Sequence, residues 1–141
     1  MQWDGSAHGG FTTANAKPWM RVNDSYREIN VAQQIKDEKS VLSFWKRMLA
    51  LRKEYADLFV HGSYKVHDAE NLSTYTFTKE TDELTALVAL NFSENQPLAT
   101  PSHLEGRQLR LLAGTIESEG KSRVLAPFEG RIYSVDTELM N

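Results

Sequence analysis

Carboxylates and histidines are the side chains here that could carry out acid, base or nucleophilic chemistry, and their arrangement is unpromising for all three. Asp82 and Glu83, Glu117 and Glu119, and Asp136 and Glu138 form the close acidic pairs. All three pairs fall in predicted turns or at predicted strand ends, where solvated surface charge is the ordinary reading. His8, His61, His67 and His103 are dispersed, with neither metal-ligand spacing nor a nucleophile beside them. No cysteine is present, which removes disulfides, thiolate metal sites and cysteine nucleophiles together. No acidic run has the ligand spacing of a calcium loop. The sequence therefore assigns no metal and calls for no cofactor.

Such side chains need rigid elements to hold them, and three kinds of stretch follow one another. From Met1 to about Ile29, Gly5, Gly9, Gly10, Asn15 and Pro18 interrupt any periodic pattern, so a long loop is expected. Trp3, Phe11, Trp19, Met20 and Tyr26 are scattered through it, whereas disordered tails are poor in Trp and Phe. These rings are expected to pack on a surface or to serve a function, since long structureless loops in compact domains do one or the other. Asn30 to Lys36 reads as a short helical turn with Val31 and Ile35 on one side.

Asp37 to Phe59 predicts one strong helix. Asp37 or Ser40 can cap its first turn, Glu38 suits the positive end of the dipole, and Arg52 and Lys53 suit the negative end. Val41, Leu42, Trp45, Met48 and Leu49 recur at three- and four-residue intervals, with Phe44, Leu51 and Tyr55 widening the stripe. A stripe this broad calls for a partner sheet or helix.

After Phe59 the period becomes two. Ser63–His67, Ser73–Lys79, Leu84–Phe92, Gln108–Ala113, Arg123–Leu125 and Arg131–Val135 read as strands joined by short turns. Leu84–Phe92 is apolar on both faces and is expected at the centre. Closely spaced strands without intervening helices predict an antiparallel sandwich or barrel, and Thr137–Asn141 a frayed tail.

With 40% hydrophobic and 25% charged residues in 141, the composition is that of a globular protein. A net charge of −3 offers no general attraction to nucleic acid or acidic membranes. No apolar run is long enough to span a bilayer, and the first residues lack a signal-peptide layout, so a cytoplasmic location is expected. Asn23-Asp24-Ser25, Asn71-Leu72-Ser73 and Asn91-Phe92-Ser93 are then unused sequons.

Several motifs follow one another as in a known family. They are M-Q-W-D at Met1–Asp4, G-G-F at Gly9–Phe11, N-A-K-P-W at Asn15–Trp19, V-N at Val22 and Asn23, and I-N-V at Ile29–Val31. S-V-L-S-F-W-K-R at Ser40–Arg47, A-L-N-F-S at Ala89–Ser93 and E-G-R-I-Y at Glu129–Tyr133 continue the series. The chain resembles, over nearly its whole length, the α-glucosidases and oligo-1,6-glucosidases of the α-amylase superfamily, fungal maltases and isomaltases above all.

That resemblance implies a (β/α)8 barrel followed by a small antiparallel β-sandwich, usually called domain C. Residues 1–59 would then be the loop after the eighth barrel strand and the final barrel helix, 60–136 domain C, and 137–141 a tail. The fold class expected is mostly β with one long helix. Retaining glycoside hydrolysis needs a carboxylate nucleophile and a carboxylic acid about 5 Å apart. In this family both lie on barrel strands ahead of M-Q-W-D, and none can be carried over to a position here. The family usually also reads R-T-P just ahead of that motif, with its Arg near the substrate. No catalytic residue is therefore assigned. Trp3 and Asp4 are rim candidates for substrate contact, with loop packing and structural hydrogen bonding as the ordinary roles.

The partner implied is an α-glucoside oligosaccharide in the full-length enzyme, with barrel or self-association covering the helix stripe. A separate reading is a non-catalytic β module that binds carbohydrate or a protein through Trp3, Trp19 and the helix face.

Overall fold

A computed structural model describes residues 1–97, 100–101, 104–116 and 122–139, with only the backbone of 137–139. The chain divides into two compact units, Met1–Leu51 and Arg52–Asn141.

The first unit is mostly loop, as its glycine and proline content predicts. Two single 3-10 turns, Ala7–Gly10 and Asp24–Arg27, are its only regular structure before the short helix α1, Val31–Gln34. The opening residues are pinned to that helix. Val31 and Ala32 donate their amides to the carbonyls of Gln2 and Trp3, each at 3.0 Å, so first-turn donors that would otherwise lack partners are satisfied. Asn30 caps α1 by accepting from the Gln33 amide at 2.9 Å and donates to the Tyr26 carbonyl at 2.9 Å, which explains an asparagine only 1% exposed.

Helix α2 runs from Val41 to Glu54. Of the two predicted caps, Ser40 is the one used. Its hydroxyl accepts from the Ser43 amide at 3.2 Å and donates to the Gln34 carbonyl at 2.7 Å, while Gln34 Oε1 accepts from the Leu42 amide. Asp37 instead accepts from the Lys39 amide in the preceding turn. The helix is also shorter than Asp37–Phe59. Its apolar period continues through Leu58 and Phe59, but the chain widens into one π-helical turn, Asp57–His61. Gly62 then closes on the sheet: a Cβ there would lie 2.5 Å from the Leu58 carbonyl oxygen and 2.9 Å from that of Glu80, so only glycine fits. No α2 residue is buried, and Val41, Trp45 and Leu49 are exposed, Trp45 at 59%.

The second unit is a five-stranded antiparallel sheet of β1 (Ser63–His67), β2 (Thr74–Glu80), β3 (Thr85–Asn91), β4 (Arg107–Gly114) and β5 (Gly130–Leu139), in the order β1-β2-β3-β5-β4. β3 is the middle strand, and its Ala86, Leu87, Val88 and Ala89 are all buried, as a two-faced apolar run requires. On one face Leu87, Ala89, Tyr133 and Val135 pack with Leu104 and Leu125, flanked by Leu109 and Leu111. The layer over that face is thus supplied by loop residues, and the described strands form one sheet.

Arg123–Leu125 is the strand expectation that differs. Only Val124 makes an isolated bridge. Leu125 is fully buried in the core, its amide donating to the Pro97 carbonyl at 3.0 Å. An inward-pointing leucine mimics strand alternation here. At the end of the chain, β5 continues through Leu139, so Thr137–Leu139 are strand rather than tail; Met140 and Asn141 lie outside the described residues.

Beneath the sheet Glu129 and Arg131, 1% and 5% exposed, form a satisfied ion pair. Arg131 Nε and Nη2 donate to the two carboxylate oxygens at 2.6 and 2.9 Å, and Nη1 donates to the Tyr133 hydroxyl at 3.0 Å. The remaining guanidinium donors reach the carbonyls of Ser122 and Val124, and Glu129 also accepts from the Ala126 amide. The bidentate carboxylate, foremost, raises the Arg131 pKa above its usual value.

Candidate functional site

The rim candidates sit in a loop folded on itself. Trp3 donates its amide to the Gly9 carbonyl at 2.9 Å, and Gly9 donates to that of Ser6 at 2.9 Å. Closing this loop takes His8, Gly9 and Gly10 to φ of 60°, 64° and 74°. At Gly10 a Cβ would come 3.0 Å from Asp4 Oδ2, so the glycine leaves room for the carboxylate. Asp4 Oδ1 accepts from both the hydroxyl and the amide of Ser6, the latter at 2.8 Å. Those bonds, the hydroxyl first, hold the Asp4 carboxyl below the usual carboxylate range. Such a group stays ionised at neutral pH, shapes its turn, and is a poor proton donor.

Beside this turn lies a cleft of about 560 Å³, within the size range of small-molecule sites. Met1, Phe11, Pro18, Trp19, Met20 and Val22 provide most of its wall. Trp19 is 97% exposed, and the neighbouring Arg21 is paired with Asp24 on the surface. The structure therefore gathers Phe11 and Trp19 into one wall, while Trp3 and Asp4 are not among the lining residues. Pro18 and Met20 carry no chemical signal, so sequence reasoning could find the wall only through its aromatics.

The histidines remain dispersed. Asp82 and Glu83 occupy the β2–β3 turn and border a second cleft of about 360 Å³ with Glu54, Asp57 and Leu58. That convergence of acids joins a helix end to a hairpin and has no local sequence signature. No group of three His, Asp or Glu residues suited to a metal ion occurs among the described residues. His67 is buried at the end of β1, its Nε2 3.0 Å from Thr78 Oγ1, which donates to Glu80 Oε1 at 2.8 Å. Because Thr78 has one proton to give, that nitrogen is the donor toward it. His8 Nε2 meets the Ala14 carbonyl at 3.2 Å, and His61 is exposed in the π turn. Asp136 is exposed on β5; His103, Glu117, Glu119 and the Glu138 side chain lie outside the described residues.

Comparison with known proteins defines the class first. A trehalulose synthase from Pseudomonas mesoacidophila superimposes with a TM-score of 0.84 at 33% identity, over 96% of this chain and 24% of that one. Residues 1–62 match the family model of the α-amylase catalytic domain. An α-glucosidase of Saccharomyces cerevisiae is 41% identical over 132 residues, covering 91% of this chain and 22% of the relative. An oligo-1,6-glucosidase of the same yeast is 39% identical over 140 residues, 94% of this chain and 23% of the relative. The chain belongs to the α-amylase superfamily, alongside its α-glucosidases and oligo-1,6-glucosidases. It spans less than a quarter of the length of these relatives.

Proposed function

We propose that these residues are the carboxyl-terminal part of a retaining α-glucosidase that releases glucose from maltose- or isomaltose-type oligosaccharides. In that reading residues 1–59 close the catalytic barrel and 60–136 form domain C, whose last strand, β5, runs on through Leu139 into the segment 137–141 read from the sequence as a tail. The observation that carries it is 41% identity to an α-glucosidase over 91% of this chain, confined to 22% of that relative. The exposed apolar stripe of α2 supports the same view, because Val41, Trp45 and Leu49 are what a helix keeps when another layer covers it. The α-glucoside is the partner, and the barrel is the cover for α2.

The reaction needs two carboxyl groups about 5 Å apart on rigid strand ends, one attacking the anomeric carbon and one protonating the leaving oxygen. None of the acids here is given either role. Asp4 is engaged by Ser6, and its ionised carboxyl suits loop shaping and not proton delivery. The loop of Trp3, Asp4, Phe11 and Trp19 serves as barrel rim. The 141 residues alone are inactive in this reading.

A cytoplasmic location accords with the Asn91 sequon. Asn91 is 3% exposed, and its amide nitrogen donates to the carbonyls of Asn95 and Ala126, each at 2.8 Å, which leaves no room for a glycan.

The test is turnover by the purified 141-residue chain. Maltose, isomaltose and an aryl α-glucoside are all expected to remain intact. Hydrolysis that survives rigorous purification and is lost in Asp4→Asn would overturn the reading and make the loop catalytic.

A further inference from the structure

The wall of the cleft beside the rim turn is built mainly from two separate stretches of the loop, Met1 and Gln2 at its start and the run from Pro18 to Asn23. They converge at buried Gly9, where a Cβ would lie 3.2 Å from Val22 Cγ1 and 3.3 Å from Gln2 Cβ. Each stretch is also tied to a different backbone anchor. The Gln2 carbonyl accepts from the Val31 amide at 3.0 Å, in the first turn of α1. Asn23 caps the 3-10 turn Asp24–Arg27, its Oδ1 accepting from the Ser25 amide at 3.0 Å and its carbonyl from the Tyr26 amide at 3.2 Å.

Asn30 is where the two anchors meet. Its Oδ1 accepts from the Gln33 amide of α1 and its Nδ2 donates to the Tyr26 carbonyl of the 3-10 turn, both at 2.9 Å. Only one orientation of the side-chain amide satisfies both neighbours, since a carbonyl must accept and a backbone N–H must donate. A helix cap alone needs no donor, and Ser or Asp would serve the four residues of α1 as well. What asparagine adds is the bond to Tyr26, made by a residue 1% exposed, where water cannot replace a lost partner. Gln33 makes a parallel tie, from its Nε2 to the Arg27 carbonyl at 2.9 Å, but that bond lies at the surface, where water can take over.

We infer that Asn30 is a positioning residue that sets the spacing of the two stretches lining the cleft, and through it the fit of the α-glucoside at the rim. The choice of an α-glucoside rests on the proposed function. In a (β/α)8 barrel the loops that follow the strands build the substrate face. A cleft of about 560 Å³ with Phe11 and Trp19 in its wall offers aromatic faces to the apolar side of a sugar ring. Asn30 itself touches no substrate; it acts through Gln2 and Asn23.

Two measurements test this role. The first follows amide chemical shifts of the 141-residue chain in Asn30→Ser, which keeps an acceptor for the Gln33 amide and drops the donor to Tyr26. Shifts are expected at Gln2 and Trp3 and at Asn23 and Ser25, with the sheet unchanged. The second is steady-state kinetics of the complete enzyme with maltose and isomaltose. KM is expected to rise about three- to tenfold in the same variant, the worth of one hydrogen bond, with kcat held within about twofold. Asn30→Asp, which keeps the cap but sets a second oxygen against the Tyr26 carbonyl, should raise KM at least as far. Shifts confined to residues 30–33 would overturn the inference. So would a fall in kcat at constant KM, the mark of a smaller folded fraction, or an unchanged KM despite shifts in both stretches. A complete wild-type enzyme that hydrolyses no α-glucoside would overturn the proposed function instead, and the amide shifts would still decide whether Asn30 sets the cleft.

Discussion

Asp4 and Glu129 are both carboxylates with hydrogen-bond partners two residues away, and burial decides what each is worth. Asp4 is held by Ser6 at the surface, where its depressed pKa means that it favours the folded loop above the usual carboxylate range. That contribution fades as pH falls through the depressed value. Ser6→Ala removes the larger cause, so a carbon-detected NMR titration should find the Asp4 carboxyl moved up toward its usual value. Glu129 lies within the fold against Arg131. Glu129→Ala would strand a guanidinium among groups that no longer neutralise it, a loss of about 3–5 kcal/mol measurable by urea unfolding. An effect below about 1 kcal/mol would mean that water reaches Arg131 and replaces the pair. From the sequence both acids were visible only as letters. Glu129 stood inside the E-G-R-I-Y motif, but nothing in its spacing announced burial, because only the fold brings its carboxylate and the Arg131 guanidinium together away from water.

Helix α2 shows what periodicity can and cannot deliver. Ser40 and the three- and four-residue spacing located its start and its apolar side; the structure uses the Ser40 cap, while no α2 residue is buried. The end was illegible, since Tyr55, Leu58 and Phe59 prolong the same period while Gly62 forces a tight approach to β2 that only tertiary structure defines. Similarly, Leu125 passed for a strand residue because a buried loop side chain and a strand side chain satisfy the same alternation. The hydrogen bond between the Tyr64 hydroxyl on β1 and the Tyr75 hydroxyl on β2 had no signal at all, for it depends on β1–β2 register. Ser40→Ala should cost about 1 kcal/mol by loss of the cap. Trp45→Ala, at 59% exposure, should cost less than about 1 kcal/mol in this chain. The same change in a longer chain that covers the helix should cost about 3–5 kcal/mol. Thermal unfolding of the two forms, each with and without the substitution, measures the difference, and equal costs would show that α2 has no further layer to meet.

Two units of such different character, one a loop-rich stretch ending in an uncovered helix and the other a sheet with its own core, make a consequence for the molecule in solution. Val41, Trp45 and Leu49 lie on one side of α2 at helical spacing and are all more than half exposed. Each would release ordered water on burial, at about 1.5–3 kcal/mol for a fully buried large side chain. Copies of the 141-residue chain should therefore associate through this stripe as concentration rises, in the absence of any other cover. Sedimentation velocity across a hundredfold concentration range tests it. The weight-average mass is expected to climb, and Trp45→Glu, which places a charge in the stripe without touching the core of the sheet, should return the chain to monomer. A monomer at every concentration would mean that the stripe is tolerated by water, and the case for a covering barrel would then rest on sequence similarity alone. Association that persists in Trp45→Glu would move the contact elsewhere.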